Sequence, residues 1–403
     1  MSDPGASARR REPPVPIPLT VLTGFLGAGK TTLLNRLLKD PALSETAVII
    51  NEFGDVALDH LLVEYIGDNM VLLQSGCLCC TMRGDLVDAL ETLLRDLDNR
   101  RCTFRRVLLE TTGLADPAPV LHTAMAHPYL LMRYRLDGVV TVVDAVNGAA
   151  TLDAHAEAVK QAAMADRIVL SKTDLADETQ RADLAARLHA LNPGAAILDA
   201  AKGEATAERL LNCGLYDPAR KIPDVGKWLA AEAYAEAQDH HHGHSHGHAH
   251  GHGHGHGHGH GHGHSHNHGH DHLDRNRHDD QIASFVLRTD APIPGGTLEM
   301  FLELLRANYG AKLLRMKGIV KLTEMPDTPV VIHGVQHVFH PTARLERWPD
   351  DDRSTRIVFI TRDLPERTVR ELFDAFIGVA APDRPDRAAL TNNPLVPFGG
   401  SDR

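Results

Sequence analysis

A glycine-rich segment near the start of the chain has the residue types and spacing of a phosphate-binding loop. Residues 24–31, GFLGAGKT, fit the pattern G-x-x-x-x-G-K-[ST]. Glycines let backbone N–H groups wrap closely around phosphates, Lys30 supplies a positive charge to the outer phosphates, and Thr31 supplies a hydroxyl to Mg²⁺. The helix that follows adds the positive end of its dipole. The predicted nucleotide and Mg²⁺ ligands in this segment are Gly24, Gly27, Ala28, Gly29, Lys30, Thr31 and Thr32.

An acidic residue and a glycine further along the chain suit the same site. The apolar run 107–109 ends in Glu110, and Gly113 follows three residues later. A carboxylate at the end of a strand can hold Mg²⁺ or its water shell, and a glycine can approach the γ-phosphate closely. Lys30, Thr31 and Glu110 are therefore predicted to form the catalytic machinery, with Thr31 and Glu110 holding Mg²⁺.

A third segment, SKTD at 171–174, follows another apolar run and indicates the identity of the base. Asp174 can accept hydrogen bonds from both N–H donors of a guanine edge, a pattern that adenine does not offer. Lys172 and Ser171 are predicted to contact the same nucleotide. The alternative interpretation is a charged turn between a strand and a helix, with Asp174 near a helix N-terminus. The sequence therefore favours GTP.

Three cysteines within four residues indicate a second site, for a metal. Thiolates at this density repel one another and oxidise unless they are bound, and they suit Zn²⁺, Co²⁺ or Cu⁺ better than Mg²⁺. Three sulfurs leave a fourth tetrahedral position open, as a donor of metal requires. The alternatives are a buried cysteine turn or a closed zinc site finished by a distant residue. The predicted metal ligands are Cys77, Cys79 and Cys80, whereas the isolated Cys102 and Cys213 are predicted to be packing residues.

These cysteines lie between the phosphate loop and Glu110, the interval where P-loop GTPases carry their switch segments. Glu52, Asp55 and Asp59 share that interval. A γ-phosphate with Mg²⁺ can order such a segment, and hydrolysis can release it. The nucleotide and metal sites are therefore predicted to be coupled. Glu52 is assigned, as a hypothesis, to sensing the γ-phosphate or ordering the attacking water.

Most of the 27 histidines of the chain lie in an alternating His-Gly tract between His240 and His272. The tract has no apolar periodicity and much glycine, so it is predicted to be disordered. Neutral imidazoles prevail near pH 7, and a flexible string of them binds transition metals at many weak sites. Metal buffering is the favoured interpretation, and a solvated spacer or an expression tag is the alternative. His333, His337 and His340 are left unassigned.

The elements that must position these residues alternate regularly from about residue 17 to residue 215. Short apolar runs alternate with amphipathic stretches, which indicates βαβ units. The predicted fold is α/β, a P-loop NTPase-type, mostly parallel sheet with helices on both faces. The predicted strands are LTVLTG (19–24), TAVIIN (46–51), RRVLLET (105–111), DGVVTVVD (137–144) and DRIVLS (166–171), and the predicted helices are 84–97, 154–165 and 178–191.

A smaller C-terminal α+β domain of roughly 100 residues is predicted after residue 281. Its predicted strands are IASFVLRT, IVKLTE, PVVIHGVQHVFH and STRIVFIT, and its predicted helices are 296–308 and 365–376. The whole predicted organisation is a disordered N-terminal arm (1–16), a P-loop GTPase domain with the cysteine motif (17–238), a His/Gly-rich disordered linker (239–280), the C-terminal domain (281–380) and a disordered tail (381–403).

Composition excludes several classes of partner. The 403 residues carry 42 Lys and Arg against 53 Asp and Glu, a net charge of −11, whereas nucleic-acid binding requires a basic face. No apolar run is long enough to span a membrane, and the N-terminal segment lacks the apolar stretch of a secretion signal. We therefore expect no nucleic-acid or membrane partner and a cytoplasmic location, which the crowded cysteines also favour.

Taken together, the motifs resemble those of the CobW-type P-loop GTPases, the metallochaperone group. GFLGAGKTT, NEFGDVALD, CLCC, ETTGLADP and SKTD stand in the order of that family, and RMKGI (315–319) and HGVQHVF (333–339) resemble its C-terminal domain. Three positions depart from the usual family residues. Ala57 and Thr361 replace glycine, and Ser171 replaces asparagine.

The resemblance implies a slow GTPase with GTP, Mg²⁺ and Zn²⁺ or Co²⁺ as its ligands. It implies that the divalent metal is loaded on the three cysteines while GTP is bound, and is transferred to a metal-requiring client protein on hydrolysis. Activation of a metal-dependent nitrile hydratase is an alternative within the family. A metal storage or buffering protein that works through its His tract is the competing interpretation.

Overall fold

Seven parallel strands form the centre of the N-terminal region. The computed structural model describes residues 15–53, 70–75, 81–211, 213, 281–339 and 342–378. The strand order is β3-β2-β4-β1-β5-β6-β7, and every neighbouring pair is parallel. The strands are β1 (Ile17–Gly24), β2 (Thr46–Phe53), β3 (Met70–Ser75), β4 (Arg106–Glu110), β5 (Tyr134–Asp144), β6 (Arg167–Ser171) and β7 (Ala196–Asp199).

Helices cover both faces of this sheet. Successive residues of one strand pack on opposite faces, so Leu109 lies in one apolar cluster with α2 and α3 while Leu108 lies in another with α1 and α8. The prediction of a P-loop-type α/β domain is therefore confirmed. The helices are α1 (Lys30–Leu38), α2 (Thr81–Asp98), α3 (Pro117–Ala126), α4 (Pro128–Arg133), α5 (Gly148–Ala154), α6 (Ala156–Ala163), α7 (Glu178–Leu191) and α8 (Ala207–Leu210).

Three local features of this domain differ from the sequence prediction. Strands β3 and β7 were not predicted; β7 has only four residues, too few for a clear apolar pattern. The helix predicted over 154–165 corresponds to α6, whereas α5, separated from it by the extended backbone of His155, was not predicted. Helix α7 has the predicted bounds, and Asp177 and Gln180 form a capping box at its start.

The C-terminal region contains an antiparallel sheet with two helices. The strand order is β11-β10-β9-β13-β8, with β12 paired to β10. Helices α9 and α10 meet through Phe301 and Phe373 over one face. The elements are β8 (Ile282–Thr289), α9 (Gly295–Tyr309), β9 (Leu313–Val320), β10 (Val330–Val335), β11 (Val338–Phe339), β12 (Ala343–Arg344), β13 (Thr355–Arg362) and α10 (Glu366–Ile377).

The other face of this second sheet packs against the nucleotide domain. Along β13, Phe359 lies in the cluster with α9 and α10, whereas Val358 joins the cluster that contains α3. The buried carboxylate of Asp166 pairs with Arg315 Nη2 and Lys317 Nζ of β9, each at 2.6 Å. A strand with both faces covered was not expected at Leu313–Val320. The sequence prediction placed the strand at IVKLTE instead, because Arg315 and Lys317 interrupt the apolar pattern of β9.

Among the helices of the described ranges, none is long and apolar enough to cross a bilayer.

Candidate functional site

The phosphate loop connects β1 to α1 at the carboxyl edge of the parallel sheet. Gly29 precedes α1, whose first residue is Lys30. Gly24 has a φ of 143°, and a Cβ atom there would lie 2.3 Å from the Val142 carbonyl oxygen on the neighbouring strand. No other residue fits that position. The loop thus lies beside the N-terminal N–H groups of a nine-residue helix, an arrangement that binds phosphate.

Lys30 and Thr31 have partners that suit their predicted roles. Thr31 Oγ1 donates a hydrogen bond to Glu110 Oε1 at 2.9 Å. The two residues meet because β4, which ends at Glu110, is the hydrogen-bonded neighbour of β1. Lys30 Nζ donates to the Phe25 carbonyl at 3.2 Å, across the loop. Hydroxyl and carboxylate oxygens are hard ligands that Mg²⁺ prefers, so this pair fits the ion.

The segment that follows β4 lies directly on the phosphate loop. Thr111 Oγ1 donates to Thr23 Oγ1 at 2.8 Å, which ties the segment to β1. A Cβ atom on Gly113 would lie 2.6 Å from the Leu26 backbone nitrogen, so only glycine allows this segment to lie so close to the phosphate loop. The buried Thr112 hydroxyl has no hydrogen-bond partner in the described ranges. Such a buried group requires a partner, and a nucleotide phosphate or Mg²⁺-bound water would supply one when bound.

The SKTD segment is joined to the phosphate loop. Ser171 Oγ donates to the Ala28 carbonyl at 2.6 Å, so this side chain joins the two loops. Lys172 Nζ pairs with Asp144 Oδ2 at 2.7 Å. Asp174 is exposed and makes no hydrogen bond or ion pair with any described residue, as a carboxylate that recognises a ligand would. Helix α7 begins later, at Glu178, so Asp174 is not its N-cap residue.

Sequence reasoning missed a further loop, which follows β7 and supports the SKTD segment. Thr173 Oγ1 donates to Asp199 Oδ1 at 2.5 Å, and Asp199 Oδ1 also accepts the backbone N–H of Ala201 at 2.9 Å. Arg36 of α1 donates to the Ala200 carbonyl at 2.7 Å. The alternation of strands and helices could have revealed this loop, because it predicts a further strand after α7.

Hydrogen bonding keeps two carboxylates of this region ionised. Burial alone would raise the pKa of Asp144, but hydrogen bonds from the Lys172 and Asn147 side chains and from nearby backbone N–H groups lower it overall. Burial also acts against the ionised form of Asp199, and the Thr173 hydroxyl and backbone N–H groups again lower its pKa. The carboxylates of Asp144 and Asp199 therefore stay negatively charged at neutral pH.

Several predicted site residues cannot be placed in this geometry. Glu52 lies in β2, in register with Gln74 of β3, and its side chain is not among those described. Within the described residues no group of three His, Cys, Asp or Glu side chains lies together as a metal site would. Cys213 is buried and Cys102 is half-buried. The predicted metal ligands and the His tract lie outside the described residues: Cys77, Cys79, Cys80 and 240–272.

The fold and the site define a P-loop nucleotide-binding protein, and comparison with known families specifies which one. Residues 18–199 match the CobW/HypB/UreG nucleotide-binding domain, and residues 282–377 match the cobalamin synthesis protein CobW C-terminal domain. The chain belongs to the CobW/HypB/UreG family, which confirms the resemblance carried by its motifs.

Characterised relatives share most of this architecture. The zinc chaperone YjiA of Escherichia coli is 32% identical over 359 residues, which cover 89% of this chain and 98% of YjiA. The crystal structure of the Zn(II)-bound YjiA GTPase superposes with a TM-score of 0.60 at 29% identity, and covers 90% of this chain and 99% of YjiA. A zinc-regulated GTPase metalloprotein activator of Schizosaccharomyces pombe is 38% identical over 167 residues, 40% of each chain.

Proposed function

We propose that this protein is a GTP-dependent zinc chaperone. It is a GTPase whose ligands are GTP, Mg²⁺ and Zn²⁺. Zn²⁺ binds to Cys77, Cys79 and Cys80 while GTP and Mg²⁺ are bound, and it is transferred to a metal-requiring client protein when GTP is hydrolysed. Zinc is proposed rather than cobalt because the relatives named above are zinc proteins by name.

The observation that carries this proposal is the order of the strands at the carboxyl edge of the parallel sheet. β3 ends at Ser75, two residues before the first cysteine of the motif, and α2 begins at Thr81, one residue after the last. β2 and β4 separate β3 from β1. Three strand spacings amount to about 14 Å. Both flanks of the cysteine motif therefore belong to elements that adjoin the nucleotide edge.

The residues around the loop have distinct proposed roles. Lys30 holds the outer phosphates, and Thr31 and Glu110 hold Mg²⁺, which when bound neutralises charge on the phosphate oxygens. Gly113 brings the segment after β4 to the γ-phosphate. Asp174 accepts the guanine N–H donors, while Ser171 and Lys172 hold that segment against the phosphate loop. Glu52, in β2 between β4 and β3, is proposed to respond to the γ-phosphate.

The decisive experiment measures Zn²⁺ and Co²⁺ affinity by competition with a chromophoric chelator. The full chain and a variant lacking 240–272 are each titrated with Mg²⁺ and GDP, and with Mg²⁺ and a non-hydrolysable GTP analogue. We expect the analogue to tighten zinc binding at least tenfold, roughly 1.4 kcal/mol of coupling, in both proteins. Cys79→Ala should abolish the tight site, and Cys102→Ala, the matched control, should leave it intact.

Two outcomes would contradict the proposal. Equal zinc affinity in the two nucleotide states would make the cysteines a static site. Loss of all tight binding on deletion of 240–272, with Cys79→Ala without effect, would favour metal storage by the His tract. A larger gain for Co²⁺ than for Zn²⁺ would keep the mechanism but change the metal.

We also propose that each segment expected from the sequence has its own role. Residues 17–238 carry the nucleotide and metal sites, 239–280 act as a metal-buffering linker, and 281–380 form the C-terminal domain. The arm 1–16 and the tail 381–403 carry none of the proposed ligands.

A further inference from the structure

Gln161, in the last turn of α6, is a buried amide that contacts the segment lying on the phosphate loop. Only 1% of the residue is exposed, and its Nε2 donates to the carbonyl oxygens of Ala115 at 2.9 Å and Gly113 at 3.3 Å. Because Nε2 has two carbonyl acceptors, the orientation of the amide is determined. One side chain thus holds two carbonyls on either side of Leu114.

The preceding residue of α6, Lys160, holds the end of the same segment. Lys160 Nζ pairs with Asp116 Oδ2 at 2.8 Å, and Asp116 is the residue that caps α3. Two successive residues of α6 therefore bind the chain from 113 to 116. Gly113 is within this stretch and approaches the Leu26 backbone closely, so a shift of the stretch changes the space beside the phosphates.

Helix α6 is itself firmly held, which makes it the fixed partner in these contacts. Thr141 Oγ1 of β5 donates to the Gln161 carbonyl at 2.7 Å. Asn192 Nδ2 donates to the carbonyls of Ala162, Ala163 and Ala165 at 2.8 to 3.1 Å; these follow Gln161, so Asn192 stabilises the helix end, whereas Thr141 holds Gln161 itself. Arg315 of the C-terminal domain also donates to the Met164 carbonyl. The position of Gln161 is therefore set by the sheet and by the second domain, and not by the segment that it holds.

The amide oxygen of Gln161 is buried and has no hydrogen-bond partner in the described ranges. Leaving such an acceptor without a donor costs about 1–3 kcal/mol, which offsets part of the stabilisation from the two hydrogen bonds that Nε2 donates. Gln161 also lines a cavity of about 240 Å³ that extends under the phosphate loop, past Phe25 and Leu26. The phosphate loop, which lines this cavity together with Gln161, therefore has room to move relative to α6.

We propose that Gln161 is a positioning residue for GTP hydrolysis, which acts by holding the carbonyls of Gly113 and Ala115 so that their segment meets the γ-phosphate. The proposal depends on the γ-phosphate lying beside Gly113. In the reaction, the oxygen of a water bonds to the γ-phosphorus and the bond to the β–γ bridging oxygen breaks. GDP and phosphate leave, and a proton of the water is released with the phosphate. Gln161 contacts neither the water nor the nucleotide.

The test compares Gln161→Met with Asn192→Leu in the full chain. Both substitutions remove a buried amide that donates to backbone carbonyls. Gln161 binds carbonyls of the segment that lies on the phosphate loop, whereas Asn192 binds carbonyls at the C-terminal end of α6. We expect Gln161→Met to lower kcat for GTP by roughly tenfold to a hundredfold, the cost of a misplaced reacting group. KM for GTP and the affinity for GDP should stay within about twofold. Asn192→Leu should lower thermal stability without lowering kcat at a temperature where it remains folded.

Two results would overturn the proposal: a kcat for Gln161→Met within twofold of the unmodified chain, or an equal loss of kcat in Asn192→Leu. If Gln161→Met does not fold, Gln161→Asn gives the same comparison, because it keeps the amide and shortens its reach by about 1.5 Å. Failure here is distinct from failure of the zinc-chaperone proposal. The zinc-chaperone proposal is tested by zinc affinity in two nucleotide states, and that affinity does not depend on the value of kcat.

Discussion

Replacing Asp166 with asparagine should show how much the buried charge at the domain interface contributes to stability, because the shape of the side chain is kept. Asp166 is 4% exposed, and its Oδ1 accepts hydrogen bonds from Arg315 Nη2 and Lys317 Nζ, while Oδ2 accepts the Val139 N–H at 2.9 Å. Burial alone would raise the pKa of Asp166, but the two cations hold that pKa well below its ordinary value. Asparagine preserves the shape of the side chain and one acceptor, and leaves two buried cations without a counter-charge.

The expected loss is large because the penalty comes from unpaired buried charge. Breaking a buried pair by removal of one partner costs about 3–5 kcal/mol, two to four orders of magnitude in the unfolding equilibrium constant. The assay is urea unfolding of the full chain, followed by far-UV circular dichroism. Asp98→Asn is the matched control: Asp98 accepts two hydrogen bonds from Arg133 but is half exposed, so its loss should cost at most about 1 kcal/mol.

A second variant tests the cause of the loss. Adding Arg315→Met and Lys317→Met to Asp166→Asn removes the uncompensated cations and should recover most of the stability, since apolar residues often replace buried ion clusters at little cost. The reasoning would be refuted by a loss below about 1 kcal/mol for Asp166→Asn, or by a loss as large for Asp98→Asn. Failure of the triple variant to recover stability would show that unpaired charge is not the cause.

Three further perturbations have defined outcomes. Burial and the neighbouring Arg315 lower the pKa of Lys317 to about 8. Between pH 8 and the ordinary value of 10.5, the unfolded chain therefore binds more protons than the folded chain, and stability rises with pH. In urea titrations, the free energy of unfolding should increase, relative to that of Lys317→Met, by up to about 1 kcal/mol per pH unit. Burial raises the pKa of the Cys213 thiol to about 12, so mass spectrometry should detect alkylation by iodoacetamide at pH 8 only after unfolding. Asp174→Asn exchanges an acceptor for a donor, so calorimetry should show GDP binding weakened by roughly tenfold to a hundredfold and binding of xanthosine diphosphate strengthened.

Much of the fold could be predicted because apolar runs mark strands that are covered on both faces. β1, β2, β4, β5 and β6 all lie where their apolar runs indicated. The prediction failed where a strand was too short, as in β7, or carried buried charges, as in β9. In β9 the charges are compensated by Asp166, which lies about 150 positions earlier, and no local pattern can reveal a partner at that distance.

The candidate site divides in the same way. The phosphate loop was readable from contiguous residues because its chemistry is local: glycines at fixed spacing, followed by a lysine and a hydroxyl at the start of a helix. Thr112 and the loop after β7 were missed, because their importance depends on contacts made by neighbouring strands. Gln161 was missed for the same reason, since a glutamine in a helix has no distinguishing pattern.

By itself, the sequence determined the phosphate loop, the SKTD segment, the family and the five strands of the nucleotide domain that long apolar runs mark. Each of these depends on residues close together in the chain, where backbone geometry links spacing directly to structure. Only the tertiary structure decided that Thr31 meets Glu110, that Ser171 holds the phosphate loop, and that Asp166 joins the two domains. Hydrogen bonds and ion pairs act over about 3 Å, so their partners are set by how the sheets and helices pack, and not by distance along the chain.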